Sequence, residues 1–233
     1  MMNIDRTRRT SRGSIKTVAA LVLLICALFV AIVLNGSLNQ DKQQTLLDSA
    51  YESFNQGNYS QAYEKFNEAR STFSFTLKAY RIVRSGEYLS LNDLGEISIS
   101  TCLTAAYDSF FKLETAPDWV SRAKELLPVI SDLERQRELE KLVKTAGEVS
   151  QLCQNFADGE IEKALKAMKD VEQGALAGDQ DFFIFEIRFL IACGKALQEP
   201  VILNQARELL FFATTDAGIN NDKTQRLWGI LTN

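Results

Sequence analysis

The stretch Phe54 to Phe66 (FNQGNYSQAYEKF) decides the fold, because it reads as the end of one helix, a Gln-Gly-Asn break and the start of another. Upstream, Leu46, Leu47, Ala50, Tyr51 and Phe54 fall at helical spacing; downstream, Ala62, Tyr63, Phe66 and Ala69 do the same. Asn58 is a candidate N-cap, with Gln61 three residues on. The spacing predicts a helical hairpin. The same pattern returns at Phe156 to Met168 (FADGEIEKALKAM), so Phe54, Gly57, Tyr59, Ala62 and Phe66 align with Phe156, Gly159, Ile161, Ala164 and Met168. Each position has a physical duty. Glycine permits the tight turn, alanine lets two helices approach, and the large apolar residues fill the space between them. A looser match puts Ala206, Leu210 and Ala213 on a third hairpin, after a helix over 181–197.

Alternation typical of strands is hard to find, and only three prolines interrupt the chain. Further helices are expected near 74–85, 92–113, 118–132, 134–157, 160–173, 180–197, 201–215 and 222–231. Thr115 and Asp118 form a candidate capping pair, and Pro128 is expected to kink the helix it sits in. The fold class is therefore all-α.

The amino-terminal part differs in kind. Val18 to Leu34 (VAALVLLICALFVAIVL) is an uncharged apolar run of seventeen residues. With Thr17 and Asn35 it reaches about 27 to 29 Å as a helix, close to the roughly 30 Å hydrocarbon core of a bilayer. Arg6, Arg8, Arg9, Arg12 and Lys16 precede it, offset only by Asp5. Positive charge resists translocation, so the amino terminus is expected to be cytoplasmic and the bulk of the chain to lie across the membrane. The domains are read as a basic tail (1–16), a transmembrane helix (17–35) and a helical ectodomain (36–233). A cleaved signal peptide is the alternative, but Leu34 or Asn35 would then occupy the minus-three position, where small residues are favoured.

Composition narrows the function. After the span the chain keeps 21 bases against 29 acids, with no dense basic stripe, which argues against nucleic acid. Histidine is absent, removing the commonest general base and zinc ligand. Cys102, Cys153 and Cys193 are odd in number, far apart and set among apolar neighbours, which suits small buried hydrophobes better than a disulfide framework or metal site. No catalytic, cofactor or metal residues are expected. A pocket with two convergent acids of shifted pKa would revive an enzyme reading.

At the repeated hairpins the sequence resembles the tetratricopeptide repeat family, whose period is 34 residues and whose second helix carries an Ala-x-x-x-Phe pattern. The offset between Phe54 and Phe156 is three such periods. Departures are plain. Leu46 stands where the family places a tryptophan, Ser53 replaces its mid-helix tyrosine and Ser74 its closing proline, and nothing between 74 and 142 keeps register. The resemblance covers about half of the ectodomain. It implies an α-solenoid of helical hairpins binding peptides or partner helices in a groove lined by first helices, here Gln44, Leu47, Tyr51 and Asn55.

The layout is similar to the YfgM-type ancillary subunits of the Sec translocon. That similarity implies a scaffold or chaperone-like adaptor of an inner-membrane complex, with the domain in the periplasm and homo-oligomers among its possible assemblies. An organelle-anchored adaptor or import receptor in a eukaryote is the alternative, and a membrane-anchored enzyme a further one. Phe182 to Cys193 (FFIFEIRFLIAC) is apolar on nearly every side, so burial against Leu209, Leu210, Phe211 and Phe212 is expected, or cover by a partner. The charged run 132–144 reads as a solvated helix face, and 222–231 as a terminal lid with Trp228 facing inward.

Overall fold

The computed structural model describes residues 6–84, 86, 88–175 and 179–232, with side chains from Ala20 onward. The basic side chains of the 1–16 tail thus lie outside the described residues. Ten α-helices account for the fold, and no strand occurs among the described residues. They are α1 (Arg6–Asn55), α2 (Tyr59–Ser71), α3 (Phe75–Arg84), α4 (Leu91–Phe111), α5 (Pro117–Leu126), α6 (Leu133–Ala157), α7 (Ile161–Gly174), α8 (Gln180–Leu197), α9 (Pro200–Thr215) and α10 (Asp222–Thr232).

The apolar run and the first helix of the first hairpin are one helix. α1 continues through Asn35 and Gly36 without a break, so the expected boundary between span and ectodomain falls inside one helix. Its stretch from Ala20 is long and apolar enough to cross a membrane, and almost none of it is covered by the rest of the fold. From Gln43 onward the same helix enters the core, where Leu47 and Ala50 meet Ala62, Phe66 and Ala69 of α2.

Four hairpins follow one turn chemistry. Gly57 and Gly159 sit at φ +75° and +79°. In the first, Gly57 N–H donates to Phe54 O at 2.9 Å and Asn58 N–H to Ser53 O at 2.9 Å; in the second, Gly159 N–H donates to Phe156 O at 3.1 Å and Glu160 N–H to Asn155 O at 2.9 Å. Each pair satisfies carbonyls left open at a helix end. Leu113 (φ 64°) and Gln198 (φ 55°) hold the same left-handed position after α4 and α8, with the same two bonds. Because these two lack the glycine, the sequence pattern misses the α4–α5 hairpin and catches the α8–α9 one only loosely, through Ala206, Leu210 and Ala213.

A Cβ at Gly57 or Gly159 would meet nothing within 4 Å, so substitution there tests backbone strain alone. Gly57→Ala and Gly159→Ala are each expected to cost about 1–2 kcal/mol. Thermal unfolding of the full chain in detergent checks this; an unchanged Tm in either variant would contradict the strain argument.

Local corrections have local causes. Asn58 makes no side-chain capping bond, and Gln61 instead accepts from Ser53 Oγ at 3.2 Å. α5 starts after Ala116 rather than on a Thr115 cap, with Pro117 presetting the first helical φ. Pro128 does not kink a long helix: α5 stops at Leu126 and 127–129 form a 3₁₀ turn. In the charged run, Asp132 caps α6 by accepting from Glu134 and Arg135 N–H, while Arg135 pairs with Glu96 and Glu138, both at 2.8 Å, on an open face.

The hairpins do not form a string in which each touches only its neighbours, as an open repeat array would. α4 packs against α2, α5, α6 and α8. Phe110 and Phe185 meet edge to face at 6.1 Å, and Arg188 Nε donates to Phe111 O at 3.2 Å, joining the second hairpin directly to the fourth. Closure continues at the surface. Lys223 of α10 pairs with Asp108 at 2.9 Å. Burial, with the charges of Asp108 and Asp181, pushes the Tyr59 hydroxyl of α2 up to about 12.

The α8 apolar run is central, with Phe182, Ile184, Phe185, Ile187, Phe189, Leu190, Ile191 and Cys193 all buried. Its expected cover holds except at Phe211. Leu210 is buried and Leu209 packs partly against the same cluster, half-exposed Phe212 meets Phe183 edge to face at 6.2 Å, and Phe211 stays 59% exposed. Leu227 of α10 is fully buried and Trp228 packs partly against the same cluster. Cys102, Cys153 and Cys193 are buried and unpaired, and burial raises each thiol to about 12.

Candidate functional site

The stripe Gln44, Leu47, Tyr51 and Asn55 runs along α1 beyond its exposed apolar stretch, but its four side chains do not share a role. Leu47 is 5% exposed and belongs to the core shared with α2, so it offers no surface to a partner. The reason is register: one turn either way, Gln43 and Ala50 are also fully buried, and Leu47 lies on their side of the helix. Gln44 and Asn55 are exposed, and Gln44 donates to Asp48 at 2.8 Å. Tyr51 is 42% exposed, its ring edge-on to Phe66 at 5.1 Å. What remains open to a partner is a polar strip with one phenol.

Repeat positions have a different duty. Ala62, Phe66, Ala164 and Met168 are buried, Phe54, Tyr59, Phe156 and Ile161 are half-buried around them, and Gly57 and Gly159 make the turns. These residues build the hairpins and present nothing outward.

Sequence reasoning missed a cleft of about 600 Å³ between the end of α7, the start of α8 and the end of α9. Phe182, Phe183, Phe212 and Ile219 supply its apolar wall, and Glu172, Asp179 and Glu186 its acids. Its dimensions suit a side chain or small ligand. Asp179 caps α8 by accepting from Phe182 N–H at 3.1 Å, leaving its other oxygen buried without a partner. Burial raises the Glu172 and Asp179 carboxyls, and burial reinforced by the Glu172 charge pushes Glu186 up to about 7. The signal was present as Glu186 interrupting the apolar run. What could not be read was that Glu172, on another helix, faces the same space.

With its value near 7, the Glu186 carboxyl keeps a share of its proton at neutral pH, where an exposed carboxyl has released it. It can donate hydrogen bonds as well as attract a cation, with aromatic faces beside it for an alkyl or guanidinium stem. Among the described residues no group of three or more His, Cys, Asp or Glu side chains is placed to hold a metal ion.

The Glu186 carboxyl gives a pH prediction. Its folded value near 7 lies above an unfolded value of about 4.3, so its stabilising contribution is complete below about pH 4 and fades as pH rises through about 7. Glu186→Gln keeps the neutral form at every pH. The variant is expected to match the parent at pH 4 and exceed it at pH 8 by on the order of 1 kcal/mol, about 2–4 °C in Tm, the partial exposure of the group limiting the gain. Thermal unfolding at both pH values checks it, and a variant less stable than the parent at pH 8 would contradict it.

Comparison with known protein families, with curated proteins and with solved structures found no match to this chain.

Proposed function

We propose that this protein is a membrane-anchored scaffold of the tetratricopeptide-like kind, an accessory or chaperone-like adaptor that presents a helical domain at the face of a membrane complex. One observation carries the reading: α1 leads from an exposed apolar stretch straight into the domain core with no linker between them. A domain mounted in that way keeps a fixed height and orientation over the bilayer, which suits a docking platform. The basic residues before the span favour a periplasmic domain on an inner membrane over the cytosol-facing adaptor of a eukaryotic organelle. Tethering also raises the effective concentration of the domain near its partners.

The partner-facing features are the Gln44, Tyr51 and Asn55 strip and the acidic aromatic cleft, the latter suited to a basic or amide-bearing segment with an apolar neighbour. Photo-crosslinking from Tyr51 and from Phe183 in the native membrane, followed by co-purification of the full chain in mild detergent, tests the proposal. Recovery of the same discrete protein from both positions is the expected result. Crosslinks to no protein, together with a monomer in detergent, would remove its basis.

One finding favours a second reading. The convergence of Glu172, Asp179 and Glu186 in one cleft, each with a raised pKa, supplies the acid and base of a hydrolytic enzyme. An activity abolished by Glu186→Gln would establish it, whereas loss of partner capture in the same variant with no turnover in the parent would assign the cleft to binding.

A further inference from the structure

α3 has a face that the fold does not cover. Phe75, Ile82 and Val83 are 76%, 81% and 54% exposed, although the opposite side of the same ten-residue helix buries Leu77 completely. At 100° per residue Phe75, Ala79, Ile82 and Val83 fall on one side, a continuous apolar strip.

The place of α3 along α1 gives that strip a specific setting. Gly36 is the point of closest approach: a Cβ there would lie 2.5 Å from Thr76 O and 2.4 Å from Tyr80 Cβ. Gly36 is two residues past Leu34, the end of the apolar run, or about 3 Å along the axis. Both ends of α3 meet the same short part of α1. Asn39 donates to Ser74 Oγ at 3.2 Å and Thr76 Oγ1 at 3.3 Å near one end, while at the other Arg81 donates to Gln40 at 2.9 Å and to Gln43. These contacts hold α3 against the first two turns of α1 past the apolar run.

The rotation of α3 is also fixed. Thr76 and Tyr80 meet α1 at Gly36, on the side of the apolar run, and Val83 follows one turn later on that same side. Arg81 reaches the other way, toward Gln40 and Gln43. On this register Ala79 and Val83 lean toward the end of the span, Phe75 and Ile82 point outward beside them, and exposed Lys78 lies at the edge farther from it.

We propose that α3 is an interfacial helix, lying at the bilayer surface where the span emerges and sinking Phe75, Ile82 and Val83 into the boundary between headgroups and acyl chains. The occupant of the strip is lipid because the strip continues the surface of the span itself. Ile32 and Val33, half-buried on the Gly36 side of α1, lead from one to the other. Lys78, a long cation at the upper edge, reaches the phosphate layer from there. α3 thus sets the depth and tilt of the domain, and Arg81 locks that setting by donating to Leu89 O at 2.7 Å and stacking on Phe73 and Tyr88.

The inference rests on α1 crossing the bilayer, not on the scaffold role, and the test separates them. Full-length variants Phe75→Trp, Ile82→Trp, Leu28→Trp and Val201→Trp are reconstituted in vesicles whose acyl chains carry bromine at shallow or deep positions, and the parent emission from Trp119 and Trp228 is subtracted. The expected result is loss of at least about half the added emission for Phe75→Trp and Ile82→Trp with shallow bromine, deeper quenching for Leu28→Trp, and none for Val201→Trp on exposed α9. Emission from Phe75→Trp and Ile82→Trp as unquenched as that of Val201→Trp overturns the proposal, as a protein covering α3 would produce. An unquenched Leu28→Trp removes the span, and the inference with it, leaving partner capture by the domain to be judged separately.

Discussion

Phe110→Ala is expected to lower the stability of the domain by about 3–5 kcal/mol, the usual cost of emptying a core aromatic site. At roughly 2–4 °C per kcal/mol for a chain of this size, Tm should fall by about 10 °C or more. Phe110 is completely buried, edge to face with Tyr107 at 5.4 Å and with Phe185 at 6.1 Å. It therefore belongs at once to the second hairpin and to the contact that ties it to the fourth. In an open array a lesion of this kind would loosen its own repeat and its neighbours. Here the unfolding should remain a single transition, because α4 packs against elements from every part of the domain. Phe212→Ala on half-exposed Phe212 serves as the comparison and is expected to cost much less. Equal losses in the two variants would show that α4 is not the centre of the domain.

Gly36→Leu is expected to detach α3. In an isolated helix the substitution would help, since glycine costs about 0.8–1.0 kcal/mol relative to alanine in a helix interior. The crossing reverses the sign. Any side chain at this position runs into the Thr76 carbonyl, a backbone atom that cannot rotate away. Displacing α3 exposes Leu77, worth about 1.5–3 kcal/mol in burial, and separates Arg81 from Gln40 and Gln43. Gln43 is fully buried, so its side-chain oxygen loses a charged donor. Trypsin acting at Lys78, Arg81 and Arg84 provides the readout: cleavage there should be fast in the variant and slow in the parent, with α4 to α10 still folded. An α3 equally protected in both would mean that the close crossing is not what holds it.

The helices and their ends were legible because their causes are local. The 3.6-residue spacing of apolar side chains and the glycines at 57 and 159 act within a few residues, and the boundaries read from the sequence fall within a few residues of those in the fold, except that α5 stops at Leu126 rather than 132. The α8–α9 hairpin is instructive. Ala206, Leu210 and Ala213 are all buried as their spacing implied, yet its turn uses Gln198 in the left-handed conformation, where no glycine announced it. Of the candidate surface, Gln44, Tyr51 and Asn55 are outward, but Leu47 is not. A single helix read alone shows which residues share a stripe and leaves open which edge of the stripe a neighbour covers.

By itself the sequence determined an all-helical chain, an apolar stretch long enough to cross a membrane, and the recurrence of one turn at Gly57 and Gly159. These depend on backbone torsions and short-range periodicity, which each segment carries with it. Tertiary structure alone decided that α4 meets α8, that α3 crosses α1 at Gly36, and that Glu172, Asp179 and Glu186 share a cleft. Residues far apart in the chain come together there only through the packing of whole helices. An apolar stripe specifies that a helix must be covered, without naming the helix that covers it, and the choice is made by the combined fit of all the faces at once.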